Sequence, residues 1–122
     1  MNTEPVNPIS PARGLRPGAL LVSGVINLGG ASLVAFAMPG TAGDERIAAA
    51  WALVQFISGV WAGVLGANSP FLHGLFAGVP ALLLGLAVGG QLPAQYVAVS
   101  WSLAPCAALL AAALMRYMRR RN

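Results

Sequence analysis

The chain has 122 residues, 57% of them hydrophobic and only 8% charged, with a formal net charge of +4. A mean hydropathy of +0.73 excludes an ordinary soluble domain and makes lipid the expected solvent. All seven basic residues are arginines (Arg13, Arg16, Arg46, Arg116, Arg119, Arg120, Arg121) and the acids are Glu4, Asp44 and Glu45, so no ionised side chain lies well inside an apolar run. The pI of about 10.7 raises nucleic acid as a partner. The arginines form no stripe interleaved with aromatics, however, and four of them follow an apolar segment, so anionic membrane lipid is the expected partner and nucleic acid is not.

Residues 1–17 carry Pro5, Pro8, Pro11 and Pro17, and "PVNPISP" has the three-residue period of a polyproline II strand. This segment is expected to be an extended tail. Arg13 and Arg16 followed by an apolar run and "AFA" mimic a signal peptide, but about 20 apolar residues are too many for one.

Four apolar runs follow, near 18–38, 47–67, 70–90 and 96–116, each of about the 20 residues that cross a hydrocarbon core. The breaks "PGTAGDER", "NSP" and "GGQLPAQ" hold the Gly, Pro, Asn and Ser clusters of turns. Loops this short make neighbouring spans antiparallel. Six arginines flank the outer ends of the first and fourth spans while Arg46 alone lies on the other side, which places both termini in the cytoplasm. The expectation is therefore an all-α integral membrane protein, four transmembrane helices in an antiparallel bundle over 18–116, with a basic tail at 117–122. The absence of lysine beside abundant Ala, Gly and Arg suggests a GC-rich genome and hence a bacterial inner membrane.

Advancing 100° per residue separates small from bulky side chains. In the first span Ser23, Gly24, Asn27, Gly30, Ala31 and Val34 oppose Leu21, Val25, Leu33 and Phe36. In the second, Ala48, Ala52, Gln55, Gly59, Gly63 and Gly66 fall within about 40° of Gly59, opposite Leu53, Ile57, Trp61 and Val64. Lipid gives helices no hydrophobic drive to associate, so small faces are expected to meet protein. An antiparallel pair with a constant index sum of 82 would set Ser23 on Gly59, Asn27 on Gln55 and Gly30 on Ala52. The Asn27 and Gln55 amides are then expected to bond to each other near the midplane.

In the third span Gly74, Gly78, Ala81, Gly85 and Gly89 make a narrow packing face opposite Leu72, Phe76, Leu83 and Leu86. His73, the only histidine, projects about 100° from Gly74 and is expected to flank that seam near the interface, as a candidate ligand or proton site. No second histidine or carboxylate is within reach to make a metal site. Pro80 and Pro105 each remove a backbone donor and predict kinks. In the fourth span alanines on nearly every side suggest protein on two faces, with Cys106 as a packing residue. Trp51, Tyr96 and Tyr117 sit where an aromatic belt is expected. Arg116, Arg119, Arg120 and Arg121 are expected to contact lipid headgroups or a partner.

No carboxylate pair, Cys and His cluster, or phosphate-cradling glycine loop occurs, so neither an enzyme nor a cofactor is expected. Length, four spans and tiny loops are superficially similar to those of the small multidrug resistance transporters. Their embedded first-helix glutamate has no counterpart here, where the first span offers Asn27, so no membership follows. The expected function is that of a noncatalytic subunit acting through helix packing, in a larger complex or a homo-oligomer. The alternative is a small transporter or pore lined by Ser23, Asn27, Gln55 and His73.

Overall fold

In the computed structural model residues 14–37, 44–88 and 93–121 are described, and among them the chain forms helices and no strands. Six helices follow in order: α1 (Pro17–Ala37), α2 (Asp44–Leu65), α3 (Pro70–Ala77), α4 (Val79–Val88), α5 (Ala94–Trp101) and α6 (Leu103–Arg121). They make four stretches long and apolar enough to cross a membrane: Pro17–Ala37, Glu45–Leu65, Pro70–Ala87 and Ala94–Arg121. Such a chain is a multi-pass membrane protein. The expectations for the proline-rich tail as far as residue 13, and for Gly89, lie outside the described residues.

Local chemistry explains where the helices begin and end. Pro17 and Pro70 open α1 and α3, where the missing N–H is not needed and the fixed φ already suits a helix. α2 begins at Asp44, three residues ahead of its apolar run, with Glu45 in its first turn, a favourable position against the positive end of the helix dipole. α6 does not stop at a tail. It continues to Arg121, because Arg119, Arg120 and Arg121 in its last turn complement the negative end of the same dipole.

The third and fourth spans are each interrupted. The third breaks at Gly78, two residues before Pro80, and the fourth at Ser102, three residues before Pro105. A proline cannot donate to the carbonyl four residues back and its ring crowds that carbonyl, so the distortion falls on the preceding turn. At Ser102 the side chain helps to close the gap: its Oγ donates to the Val99 carbonyl at 2.6 Å. Cys106 N then donates to the Ser102 carbonyl at 3.2 Å and restarts the ladder.

α6 packs against both α2 and α3, and the small residues are the reason it can. A Cβ built on Gly59 would lie 2.8 Å from the Ala104 Cα, and one on Gly63 would lie 2.7 Å from the Ala108 Cα. From α3, a Cβ on Gly74 would lie 2.6 Å from the Pro105 Cα. Ala104, Ala107, Ala108 and Ala112 are all buried in this contact. The expected pairing of Gly59 with Ser23 is therefore corrected. Residues four apart advance about 40° around a helix, so the row Gln55, Gly59, Gly63 winds from the α1 side of α2 to its α6 side. Gly24, assigned to the small face of the first span, has nothing within 4 Å of a built Cβ.

On the other side of α2, Trp51 packs with Ala31, Val34, Ile47 and Ala81, and Gly85 brings α4 against Trp51 and Val97. Trp51 is thus a core residue and not part of an aromatic belt. Its indole body fills the space between α1, α2 and α4, and its Nε1 is buried without a hydrogen-bond partner. Tyr96 is half-buried and donates from its hydroxyl to the Ala48 carbonyl at 2.7 Å, while Tyr117 is exposed. Cys106 is exposed rather than packed, because it shares the outer side of α6 with Leu103, Leu109 and Leu110. Those residues, with Leu21, Val25, Leu33, Phe36, Leu53, Leu72, Phe76 and Leu83, form the exposed apolar surface.

Gly59→Ala is expected to destabilise the fold by about 1–3 kcal/mol, since the new methyl meets backbone that cannot move aside. Gly24→Ala, facing open space, is expected to be neutral or stabilising by up to about 1 kcal/mol through helix propensity. Reversible unfolding in mixed micelles would measure both, and equal effects would contradict the packing described.

Candidate functional site

Two clusters of polar side chains stand out, one inside the spans and one at the end where α2 turns into α3. The inner cluster is built from α1, α2 and the break between α3 and α4. Asn27 Nδ2 donates to Gln55 Oε1 at 3.1 Å and to Ser58 Oγ at 3.0 Å. Asn27 Oδ1 accepts from the Ala81 backbone N–H at 2.6 Å. Gln55 Nε2 donates to the Gly78 carbonyl at 3.3 Å. Ser58 Oγ in turn donates to the Val54 carbonyl at 2.7 Å.

The backbone groups in this set come from the broken third span. In a continuous helix the Ala81 N–H would bond within the helix; here a side chain from α1 takes it. Nearby, Trp101 Nε1 donates to the Leu75 carbonyl at 2.8 Å, so the fourth span also serves the broken turn. An amide has two donors and two acceptor lone pairs, and Asn27 uses both donors and its oxygen. Asn27, Gln55, Ser58 and Ser23 are all fully buried (0% exposed). Ser23 stands apart from the cluster, its Oγ donating to the Ala19 carbonyl at 2.6 Å.

This cluster contains no titratable group. Among the described residues no three His, Cys, Asp or Glu side chains come together to hold a metal ion. What the arrangement does chemically is satisfy backbone and one amide with the other: Asn27 takes the Ala81 N–H, and Gln55 adds a second donor to the Gly78 carbonyl, which also accepts from Leu82 N at 3.2 Å. The sequence reading named Asn27 and Gln55 but not their third partner Ser58, nor the Gly78 and Ala81 backbone. Two signals were available. Ser58 lies three residues from Gln55 and so on the same face of α2, and Pro80 marks a stretch of unpaired backbone.

The second cluster involves His73, in the first turn of α3. Its side chain is fully buried and lies against Gly66, where a Cβ would strike the ring. The Arg16 backbone N–H donates to Nε2 at 2.8 Å, and Nδ1 sits 2.8 Å from the Ser69 carbonyl. With Nε2 accepting, Nδ1 carries the hydrogen and donates to Ser69, the neutral tautomer that serves both contacts. Asn68 Nδ2 donates to the Gly14 carbonyl at 2.7 Å. The histidine is buried because the chain leading into α1 folds over it, a contact between residues 57 positions apart that helix periodicity does not reveal.

Of the four C-terminal arginines, Arg116 and Arg119 line an open cavity of about 400 Å³ together with Arg16 and Asn68. Arg121 bonds to the Tyr117 hydroxyl at 3.2 Å and lies over that ring, 5.8 Å from its centroid. Arg120 is exposed.

Asn27→Ala is expected to cost more stability than Gln55→Ala, about 1–3 kcal/mol for each buried group left unpaired, because Asn27 makes three of these bonds and Gln55 two. Detergent unfolding of both variants would show the ranking. His73→Ala is expected to raise the amide hydrogen exchange of Arg16 by roughly tenfold, the equivalent of one lost hydrogen bond, and His73→Gln, whose Oε1 can accept, to restore part of the protection. Comparison of the chain with protein-family models, with curated proteins and with solved structures gives no match.

Proposed function

We propose that this chain is a noncatalytic membrane subunit that acts through helix packing, as an accessory or assembly component of a larger membrane complex or as a homo-oligomer. In this reading the four spans form an antiparallel bundle in a bacterial inner membrane with both termini cytoplasmic. The observation that carries it is the state of the polar side chains within the spans. Ser23, Asn27, Gln55 and Ser58 are fully buried, and the amides bond to one another and to backbone. Groups committed in this way hold a scaffold together and are not presented to a substrate. The exposed apolar surface of α1 and α6 is then available to lipid or to a neighbouring subunit.

A second reading, a small transporter, draws support from one specific feature. Transporters place substrate sites where discontinuous helices expose backbone near the bilayer midplane, and the third and fourth spans are both interrupted. For this reading the amides of Asn27 and Gln55 must part to admit water.

Copurification from native membranes in mild detergent is expected to yield a defined assembly larger than one chain. A monomer with no partner at any concentration would defeat the scaffold reading. For the transporter, a thiol placed at Ser23 in a Cys106→Ser background is expected to resist water-soluble maleimide; rapid labelling, with liposome flux lost on Asn27→Ala, would favour transport instead.

A further inference from the structure

The cavity of about 400 Å³ beside the last turns of α2 and α6 is lined by Arg16, Val64, Ala67, Asn68, Ala112, Met115, Arg116 and Arg119. We propose that it is a binding site for the phosphate of an anionic membrane phospholipid. Three arginines line one cavity, and among the described residues no carboxylate does. The described acids, Asp44 and Glu45, are at the other end of α2, about 30 Å away at 1.5 Å per residue. Like charges gathered without a counter-ion repel, and an anion in their midst removes the repulsion.

The backbone that carries these arginines is held in place. Arg116 and Arg119 are three residues apart on α6 and so share a face, which Ala112 and Met115 continue toward the membrane. Arg16 comes from the opposite end of the chain, and the backbone on both sides of Leu15 is tied down. Asn68 holds the Gly14 carbonyl at 2.7 Å and His73 holds the Arg16 N–H at 2.8 Å. His73 and Asn68 are therefore positioning residues for Arg16. Guanidinium is the side chain suited to this ligand, since its planar fork meets phosphate oxygens through two parallel hydrogen bonds.

The remaining walls decide the class of phosphate. Val64, Ala67, Ala112 and Met115 are apolar, and the cavity volume falls in the ~300–1,000 Å³ range of small-molecule sites. A phosphodiester with glycerol and acyl carbons below it satisfies both halves of such a cavity, whereas free phosphate leaves the apolar half empty. A zwitterionic lipid would bring an ammonium group for which the described lining residues offer no carboxylate. The site does not depend on whether the protein is a scaffold or a transporter.

The test uses the full chain purified in neutral detergent, with thermal unfolding and native mass spectrometry as readouts. Short-chain phosphatidylglycerol, short-chain phosphatidylcholine and inorganic phosphate are the probes. Phosphatidylglycerol is expected to raise the unfolding temperature and to remain bound in the mass spectrum, while the other two have little effect. R116Q/R119Q is expected to weaken phosphatidylglycerol binding by at least about tenfold, and R120Q/R121Q, which removes the same charge outside the cavity, to leave it nearly unchanged. His73→Gln, which can still accept from Arg16, is expected to bind close to the parent chain. Equal losses in the two double variants would mean diffuse attraction and overturn the site. Equal stabilisation by inorganic phosphate would make it a soluble-anion site and overturn the lipid assignment. Equal binding of phosphatidylcholine would overturn the charge argument, and an unfolded R116Q/R119Q variant would still leave the three-probe comparison on the parent chain to decide.

Discussion

The third span is broken at Gly78, and the surrounding hydrocarbon offers nothing to the backbone groups that the break releases. Each unsatisfied N–H or carbonyl in that setting costs several kcal/mol. Asn27 supplies a partner for the Ala81 N–H, and Gln55 gives a second hydrogen bond to the Gly78 carbonyl, which already accepts from Leu82 N. A break in one helix thereby constrains where α1 must sit, because a hydrogen bond tolerates only a few tenths of an ångström. The bond between the two amides and the one to Ser58 close the set. Interhelical polar contacts in membranes average only about 0.6 kcal/mol when measured, so the cluster sets register more than it adds net stability.

Stability in lipid must come instead from close contact, and the small residues of three helices meet where that is possible. Gly59, Gly63 and Gly74 bring α2 and α3 onto Ala104, Pro105 and Ala108 of α6. Backbones at this separation gain dispersion along their whole contact, many small terms summing to a large one. At the interruption of the fourth span Ser102 bonds back to the Val99 carbonyl, and Cys106 N takes up the Ser102 carbonyl. The buried Trp51 works at the other side of α2, and its unpartnered Nε1 is a local cost accepted for the volume that the indole fills.

At the end where α2 turns into α3, packing and charge are joined. Gly66 has no side chain to exclude the His73 ring, the ring accepts the Arg16 N–H, and Arg16 lines one cavity with Arg116 and Arg119. Residues from the beginning, middle and end of the sequence depend on each other there. The histidine, a candidate ligand or proton site by sequence, has both ring nitrogens engaged by backbone there.

Much of this was legible from residue order alone. The four apolar runs, their turn residues and the division into bulky and small faces follow from composition and from 3.6-residue periodicity, which are local properties. The same periodicity put Asn27 and Gln55 on facing surfaces. It could not say that Gly59 turns away from α1 toward α6, because one helix presents several faces and only the arrangement of all its neighbours decides which partner each face receives. Nor could it bury His73, pull Trp51 out of the interface, or leave Cys106 on the outside. Those outcomes rest on contacts between residues far apart in the chain, such as Arg16 with His73. The sequence by itself determined that this is a helical multi-pass membrane chain, because the solvent demands it. Only the tertiary structure decided what its few polar groups do, because a hydrogen bond needs a partner that sequence spacing does not name.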